Sequence, residues 1–516
     1  MTATASSASV GVDILAALLD ACDRTPDAPA MTLGRRSLTY ADLRTRILGI
    51  SAALTTEGLA PGDRVLFSVR PGLHGICLAL AVIAAGGTIV FADPGAGEAM
   101  FRARAGLAAP RWVAAESLLY AVSRGPLRRV ARARGLELPD YSAVVPDARH
   151  IYAGPRLPGV PRGAVSLRSL LSSGGATPQA TVLARRRAER PALIIFTSGT
   201  TDHPKAVVHS RESLGAGLSD FAAHVGFVPG EVVLTDQLMV GIPALISGAH
   251  WTLPPAGADP GASPAKYLPL LREADVLFAV PAALDAMLRA GMTAPHLRSV
   301  LVGGAPVLRP LLERVRERLP GTSIRAIYGM TEILPVAIAD GDEKLAFEGA
   351  GDYVGRLMAH VTATIDEGEL VVAGPGLALG YLGEAPLRQL RTGDLARIES
   401  ERLVLGGRSK DMFIRGTTNV YPGLYEPVIA GIPGVQDAAL VAVPNEIGDD
   451  ALVLVIVGSA DRVPAALPGL IDAAVMPDRI VVMDSLPRRG RSRKLDRAAL
   501  AGLVAEALEA REAGRP

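Results

Sequence analysis

Cysteine is nearly absent: the 516 residues hold two, Cys22 and Cys77, not spaced as a metal-ligand pair. Both read as buried core residues in a reducing compartment. Aromatic residues are scarce at 4%, so packing must rest on Ala, Val, Leu and Ile. There is almost no net charge, with 53 basic residues against 52 acidic. That balance excludes a global polyanion partner, nucleic acid included. A bilayer span is also lacking. The most apolar stretch, Gly75 to Ala92, is interrupted by Gly86, Gly87 and Thr88 and reads as a helix followed by a strand. The N-terminal Met1 to Val10 has no basic region of a signal peptide, so a cytoplasmic location is expected.

What is present is length and pattern. A chain of 516 residues exceeds one ordinary core, and two or more domains are expected. A helix over Ala41 to Glu57, a strand over Val65 to Val69, a helix near Cys77 to Ala85 and a strand over Thr88 to Phe91 form a βαβ pattern, which implies a parallel sheet. Val276 to Val280 and Val300 to Val302 are short apolar runs ending at Pro or Gly, as buried parallel strands do. The arginines of 124–134 and 185–187 have no interleaved aromatics and read as solvated surface rather than a base-stacking platform. Residues 150–190, rich in Gly, Pro and Ser, read as a long surface connection. A turn and strand between Arg397 and Arg408 suggest a domain boundary, leaving about 110 residues for a small C-terminal domain.

The most informative segment is Thr197-Ser198-Gly199-Thr200-Thr201-Asp202-His203-Pro204-Lys205, which directly follows the apolar run Ala192 to Phe196. A buried strand opening into small hydroxyl residues and a lysine suits a phosphate: backbone N–H groups approach closely, hydroxyls donate and Lys205 adds charge. Pro204 before the lysine and Ala206 after it rule out a Walker loop.

Further motifs follow in fixed order. Leu38-Thr39-Tyr40-Ala41-Asp42-Leu43 precedes the loop; Gly303-Gly304-Ala305-Pro306 and Tyr328-Gly329-Met330-Thr331-Glu332 come after it. Then come Gly368-Glu369-Leu370, Gly380-Tyr381-Leu382, Arg391-Thr392-Gly393-Asp394, Gly407-Arg408-Ser409-Lys410-Asp411 and Lys494-Leu495-Asp496-Arg497. The ordered set, spread over nearly the whole chain, resembles the adenylate-forming superfamily of acyl-CoA ligases, luciferases and peptide-synthetase adenylation domains.

The resemblance implies an α/β fold. A large N-terminal AMP-binding domain (1–405), of parallel-rich sheets flanked by helices plus a β-barrel-like subdomain, would precede a small, mobile α+β C-terminal domain (406–516). It implies ATP, Mg²⁺ and CoA as cofactors and a small carboxylic acid as substrate. Thr197, Ser198, Gly199, Thr200, Thr201 and Lys205 would hold phosphates. Tyr328 would face the adenine, with Gly303, Gly304, Ala305 and Gly329 allowing close approach. Asp394 and Arg408 would bind the ribose. Thr331 would donate to the α-phosphate and Glu332 would ligate Mg²⁺. Lys494 would neutralise the carboxylate and α-phosphate as they meet. Lys410 would be the hinge, and Gly416 and Thr417 would line the CoA tunnel.

Several positions depart from the family. Asp202 and Ala206 replace glycines around the phosphate-loop lysine. A carboxylate a few Å from a triphosphate repels it by about 1–4 kcal/mol, or roughly ten- to several-hundred-fold in ATP binding. Thr417 replaces a tunnel glycine, Arg493 stands where glycine usually precedes the lysine, and the acid-binding stretch reads Leu234-Thr235-Asp236-Gln237-Leu238-Met239. Asp93 to Gly97, the Tyr328 to Val336 segment and Tyr425 to Ile429 are similar to olefin-pathway β-lactone synthetases, which close a β-hydroxy acid through its adenylate without CoA. The expected activity is an acyl-CoA ligase for a hydrophobic acid. Its alternatives are a β-lactone synthetase, an enzyme of the thioesterification half-reaction alone, and a non-catalytic binder of the same fold.

Overall fold

The computed structural model describes residues 12–92, 98–124, 128–129, 138–173, 190–196, 205–408, 413–415, 418–420, 422–444, 450–471, 475–489 and 493–512. The phosphate-loop residues Thr197, Ser198, Gly199, Thr200, Thr201 and Asp202 lie outside them. So do Lys410, Gly416, Thr417, Asp93 to Gly97, Arg185 to Arg187 and most of the 124–134 stretch.

Two large sheets organise the N-terminal part. In the eight-stranded sheet, Pro191–Phe196 pairs in parallel with Thr88–Phe91, which pairs in parallel with Arg64–Ser68. These are the strands of the expected βαβ pattern, with the helix Leu73–Ala84 as the crossover. The strand Ala206–Ser210 turns back antiparallel on Pro191–Phe196, and the short strand Gly380–Tyr381 pairs with it at the edge. In the thirteen-stranded sheet, Val232–Leu234, Val276–Ala279, Ser299–Gly303 and Ser323–Met330 run parallel. From Ile333–Asp340 onwards the same sheet is antiparallel through Asp352–Leu357, Arg402–Arg408, Leu390–Glu399 and Glu369–Ala373. This antiparallel half occupies the place of the expected barrel-like subdomain.

The sequence explains local starts. Thr39 caps the helix Tyr40–Thr56 reciprocally with Asp42, each side chain taking the other's backbone N–H at 3.1 Å. Tyr40 is fully buried and its hydroxyl reaches the carbonyl of Ala249 at 2.7 Å, so this early motif is architectural. Ser400 and Glu401, both at positive φ, make the two-residue turn between Leu390–Glu399 and Arg402–Arg408. That second strand runs across position 405.

The 150–190 stretch is more structured than expected where described. Arg149–Ala153 is a strand of the eight-stranded sheet, Val165–Ser166 extends that sheet, and Leu167–Ser173 is a helix. Ile151 is buried beside Trp112, but its apolar run is only three residues long and the Gly and Pro that follow mask it.

The smaller C-terminal part holds a three-stranded sheet of Val435–Pro444, Asp450–Gly458 and Arg479–Met483, with the helices Pro422–Ala430 and Arg497–Glu512. Arg497 grips Glu426 in a two-pronged ion pair, 2.7 Å on each oxygen, tying two of the late motifs together. Among the described residues no helix is long and apolar enough to cross a membrane.

Candidate active site

The site forms at the carboxyl ends of parallel strands, where open α/β sheets present their loops. Ser299–Gly303 ends there, and Gly304 turns the chain away at φ +84. A Cβ on Gly303 would stand 3.1 Å from the Ile327 carbonyl, so the absence of a side chain lets this strand end lie close beside Tyr328. Ala305 follows, half-buried. On the neighbouring strand Ser323–Met330, Tyr328 and Gly329 precede a tight reversal, and Thr331 and Glu332 are its two turn residues before Ile333–Asp340.

Three groups clamp that turn. His209, on the strand Ala206–Ser210, places Nε2 2.7 Å from the Thr331 carbonyl oxygen and Nδ1 3.1 Å from Ser213 Oγ. A carbonyl only accepts, so Nε2 carries the proton and Nδ1 accepts from the serine hydroxyl. Burial pushes this imidazole below its ordinary range, against the opposing pull of the Thr331 carbonyl and Glu332, and the neutral ring suits that role. Ala378 donates its backbone N–H to the Glu332 carbonyl at 2.8 Å. Tyr381 donates its hydroxyl to Glu332 Oε1, also at 2.8 Å. Burial first, and then the bond to Glu332, keep the phenol protonated.

Lys205 joins the cluster from the other side. It stands immediately before Ala206, exposed, with Nζ 5.0 Å from the centre of the Tyr381 ring. The last residue of the phosphate-loop motif therefore reaches the Thr331–Glu332 turn through one tyrosine.

Asp394 is 97% buried, at 3% exposure, and Tyr328 donates its hydroxyl to Oδ2 at 2.5 Å. Its backbone N–H is held by Thr392 Oγ1 at 3.0 Å, and Glu369 Oε1 accepts from Gly393 N–H at 2.8 Å. Arg408 is the cross-strand partner of Asp394, so the two motif residues face each other across one ladder. Lys494 lies in a two-residue strand paired with Arg489, exposed to solvent.

A cavity of ≈ 10 Å³, room for about one water molecule, opens beside the turn. His209, Ser213, Leu218, Met239, Leu334 and Gly376 are among its walls. Gly217 lets the helix Arg211–Val225 press against the Leu334 carbonyl; a Cβ there would collide with it. Met239 belongs to the stretch that departs from the family, so that departure reaches the walls of this space.

The oxygen donors fit a magnesium ion carried by a nucleotide. Among the described residues no group of three or more His, Cys, Asp or Glu could cage a metal. A lone carboxylate such as Glu332 suits Mg²⁺, which takes one or two carboxylates together with substrate phosphates. Bound there, the ion would offset phosphate charge.

Comparison with known proteins gives the family. The family of AMP-binding enzymes matches residues 18–382. The chain belongs to that family. It is an AMP-forming ligase of the adenylate-forming superfamily. It is 28% identical over 461 residues to the 3-[(3aS,4S,7aS)-7a-methyl-1,5-dioxo-octahydro-1H-inden-4-yl]propanoyl:CoA ligase of Mycobacterium tuberculosis, covering 82% of this chain and 84% of that protein. The olefin beta-lactone synthetase of Xanthomonas campestris is also 28% identical, over 460 residues, covering 79% and 78%. In fold it is similar to the amide bond synthetase McbA of Marinactinospora thermotolerans, with a TM-score of 0.76 at 23% identity, covering 95% of this chain and 99% of that one.

Sequence reasoning named Tyr328, Thr331, Glu332, Asp394 and Lys205, but not His209 or the role of Tyr381. Tyr381 lay inside a quoted motif; only its contact with Glu332, 49 residues away, was hidden. His209 had no signal, being one histidine on a buried strand, 122 residues from its partner.

Proposed function

We propose that this AMP-binding enzyme activates a hydrophobic carboxylic acid as its acyl-adenylate and passes the acyl group to CoA. The observation that carries the reading is the convergence of Lys205, the Thr331–Glu332 turn and the Tyr328–Asp394 pair where the edge of the eight-stranded sheet meets the thirteen-stranded one. In the first step a carboxylate oxygen of the acid attacks the α-phosphorus and pyrophosphate leaves. Asp394 and Arg408 hold the ribose, Thr331 donates to the α-phosphate, and Lys494 is carried in to offset the charge where two anions meet. In the second step the CoA thiol attacks the acyl carbonyl, AMP leaves and the thiol proton is released.

The reading includes two domains, 1–405 and 406–516, with Lys410 as hinge and Gly416 and Thr417 at the CoA tunnel. It also includes a cytoplasmic setting. A bulky acid requires Met239, Leu334 or the Gly376 segment to move, since the space beside the turn is small. Carboxylate-dependent exchange of pyrophosphate into ATP across a panel of acids tests adenylation. Exchange with none of them would overturn the first step.

Thr417 and the β-lactone synthetase relative favour a second reading, in which the acid's own β-hydroxyl replaces CoA. Incubation with a β-hydroxy acid and ATP, without CoA, followed by mass spectrometry distinguishes the two. Asp202 and Ala206 favour a third, in which the enzyme performs only thioester formation from a supplied adenylate. CoA-dependent AMP release from a synthetic acyl-adenylate, without exchange activity, would select it.

A further inference from the structure

We infer that Tyr381 is a positioning residue, orienting Glu332 for the metal ion of a bound nucleotide while seating Lys205 beside it. The inference rests on the reading of Glu332 as metal ligand and adds a residue to which that reading gave no role.

Rigidity is the first argument. Tyr381 is the register partner of Val207, and its neighbours Leu379 and Leu382 donate backbone N–H groups to Val208 and Ala206, each at 2.8 Å. The segment that fixes Tyr381 also holds the Glu332 backbone, through Ala378 N–H. The backbone that carries the phenol is thus hydrogen-bonded both to the turn that carries the carboxylate and to the strand that begins directly after Lys205.

Direction is the second. The phenol donates to Oε1 at 2.8 Å, and among the described residues Oε2 has no hydrogen-bond partner. A carboxylate tied at one oxygen presents the other in a defined direction. Outer-shell donors of this kind orient metal-ligating carboxylates, and losing one weakens metal binding by about 10- to 100-fold. The ring face carries the second task, with the Lys205 ammonium 5.0 Å above it. The hydroxyl and the ring therefore serve different partners and separate by mutation.

The test titrates Mn²⁺ into wild type, Tyr381→Phe and Glu332→Gln, each with a non-hydrolysable ATP analogue, and follows bound metal by electron paramagnetic resonance. AMP affinity without metal and the melting temperature are measured alongside. Tyr381→Phe keeps the ring under Lys205, so its metal-free AMP affinity and melting temperature should match wild type while Mn²⁺ binding weakens about tenfold or more. A smaller loss, with Glu332→Gln strongly impaired, overturns the role of Tyr381 and leaves the metal ligand standing. Unimpaired Mn²⁺ binding in Glu332→Gln overturns both. A lowered melting temperature with unchanged Mn²⁺ affinity reduces Tyr381 to a packing residue.

Discussion

The Tyr328 hydroxyl donates to Asp394 Oδ2 across 2.5 Å, joining two motif residues 66 positions apart at a nearly buried carboxylate. Hydrogen bonds to charged groups contribute roughly 1.5–3 kcal/mol. Tyr328→Phe keeps the ring and removes that donor. AMP affinity measured by calorimetry should fall about tenfold, equivalent to 1.4 kcal/mol. Unchanged affinity would mean that Asp394 is placed without this bond.

Asp202 belongs to the motif that the family resemblance implies for binding phosphates. Asp202→Gly should raise exchange activity at low ATP, by up to the roughly ten- to several-hundred-fold that its repulsion implies. Changing Ala206 as well confuses the result. Ala206 is 1% exposed at the start of a strand, and glycine there loses a buried methyl and stiffness at about 1–2 kcal/mol. Exchange kinetics of the single variant decide the matter, and no change removes the electrostatic argument.

In the proposed reaction Lys494 takes part in the first half-reaction alone. Lys494→Ala should depress pyrophosphate exchange while sparing CoA-dependent AMP release from a synthetic adenylate. Equal loss of both steps would remove Lys494 from that role.

Much of this was legible beforehand, for a physical reason. Local signals such as the apolar spacing of Ala41 to Glu57, or the apolar runs at Thr88 and Val276, depend on neighbours in sequence, and they fold as read. Chemistry-bearing residues with distinctive neighbours, such as Asp394 after Thr392-Gly393, were equally visible. What stayed hidden were tertiary pairings. His209 on Thr331, Tyr381 on Glu332 and Tyr328 on Asp394 each join segments whose proximity depends on strand order, which no local pattern encodes. The 149–153 strand was hidden differently, its short apolar run overshadowed by the Gly and Pro behind it.

Stability should fall on the acid side through His150. Burial lowers its pKa from 6.5 to about 4, with Nδ1 3.0 Å from the Tyr120 hydroxyl. Above pH 6.5 the residue is neutral folded and unfolded, and contributes no pH dependence. Between 6.5 and 4 the unfolded chain takes up a proton that the native state refuses, so stability drops as pH falls. The loss is at most about 3 kcal/mol for this group. Denaturant melts of wild type and His150→Gln across pH 7 to 4.5 should show a shallower acid decline in the variant; parallel declines would exclude His150 as a contributor.

A nucleotide pocket at Asp394 and the Thr331–Glu332 turn can be read out by calorimetry with an acyl-sulfamoyl adenosine. Wild type should bind the mimic saturably, and Asp394→Ala should bind it about 100-fold more weakly, the equivalent of roughly 2.7 kcal/mol of lost ribose contact. Equal affinity in the two proteins, or no binding to either, would exclude that pocket.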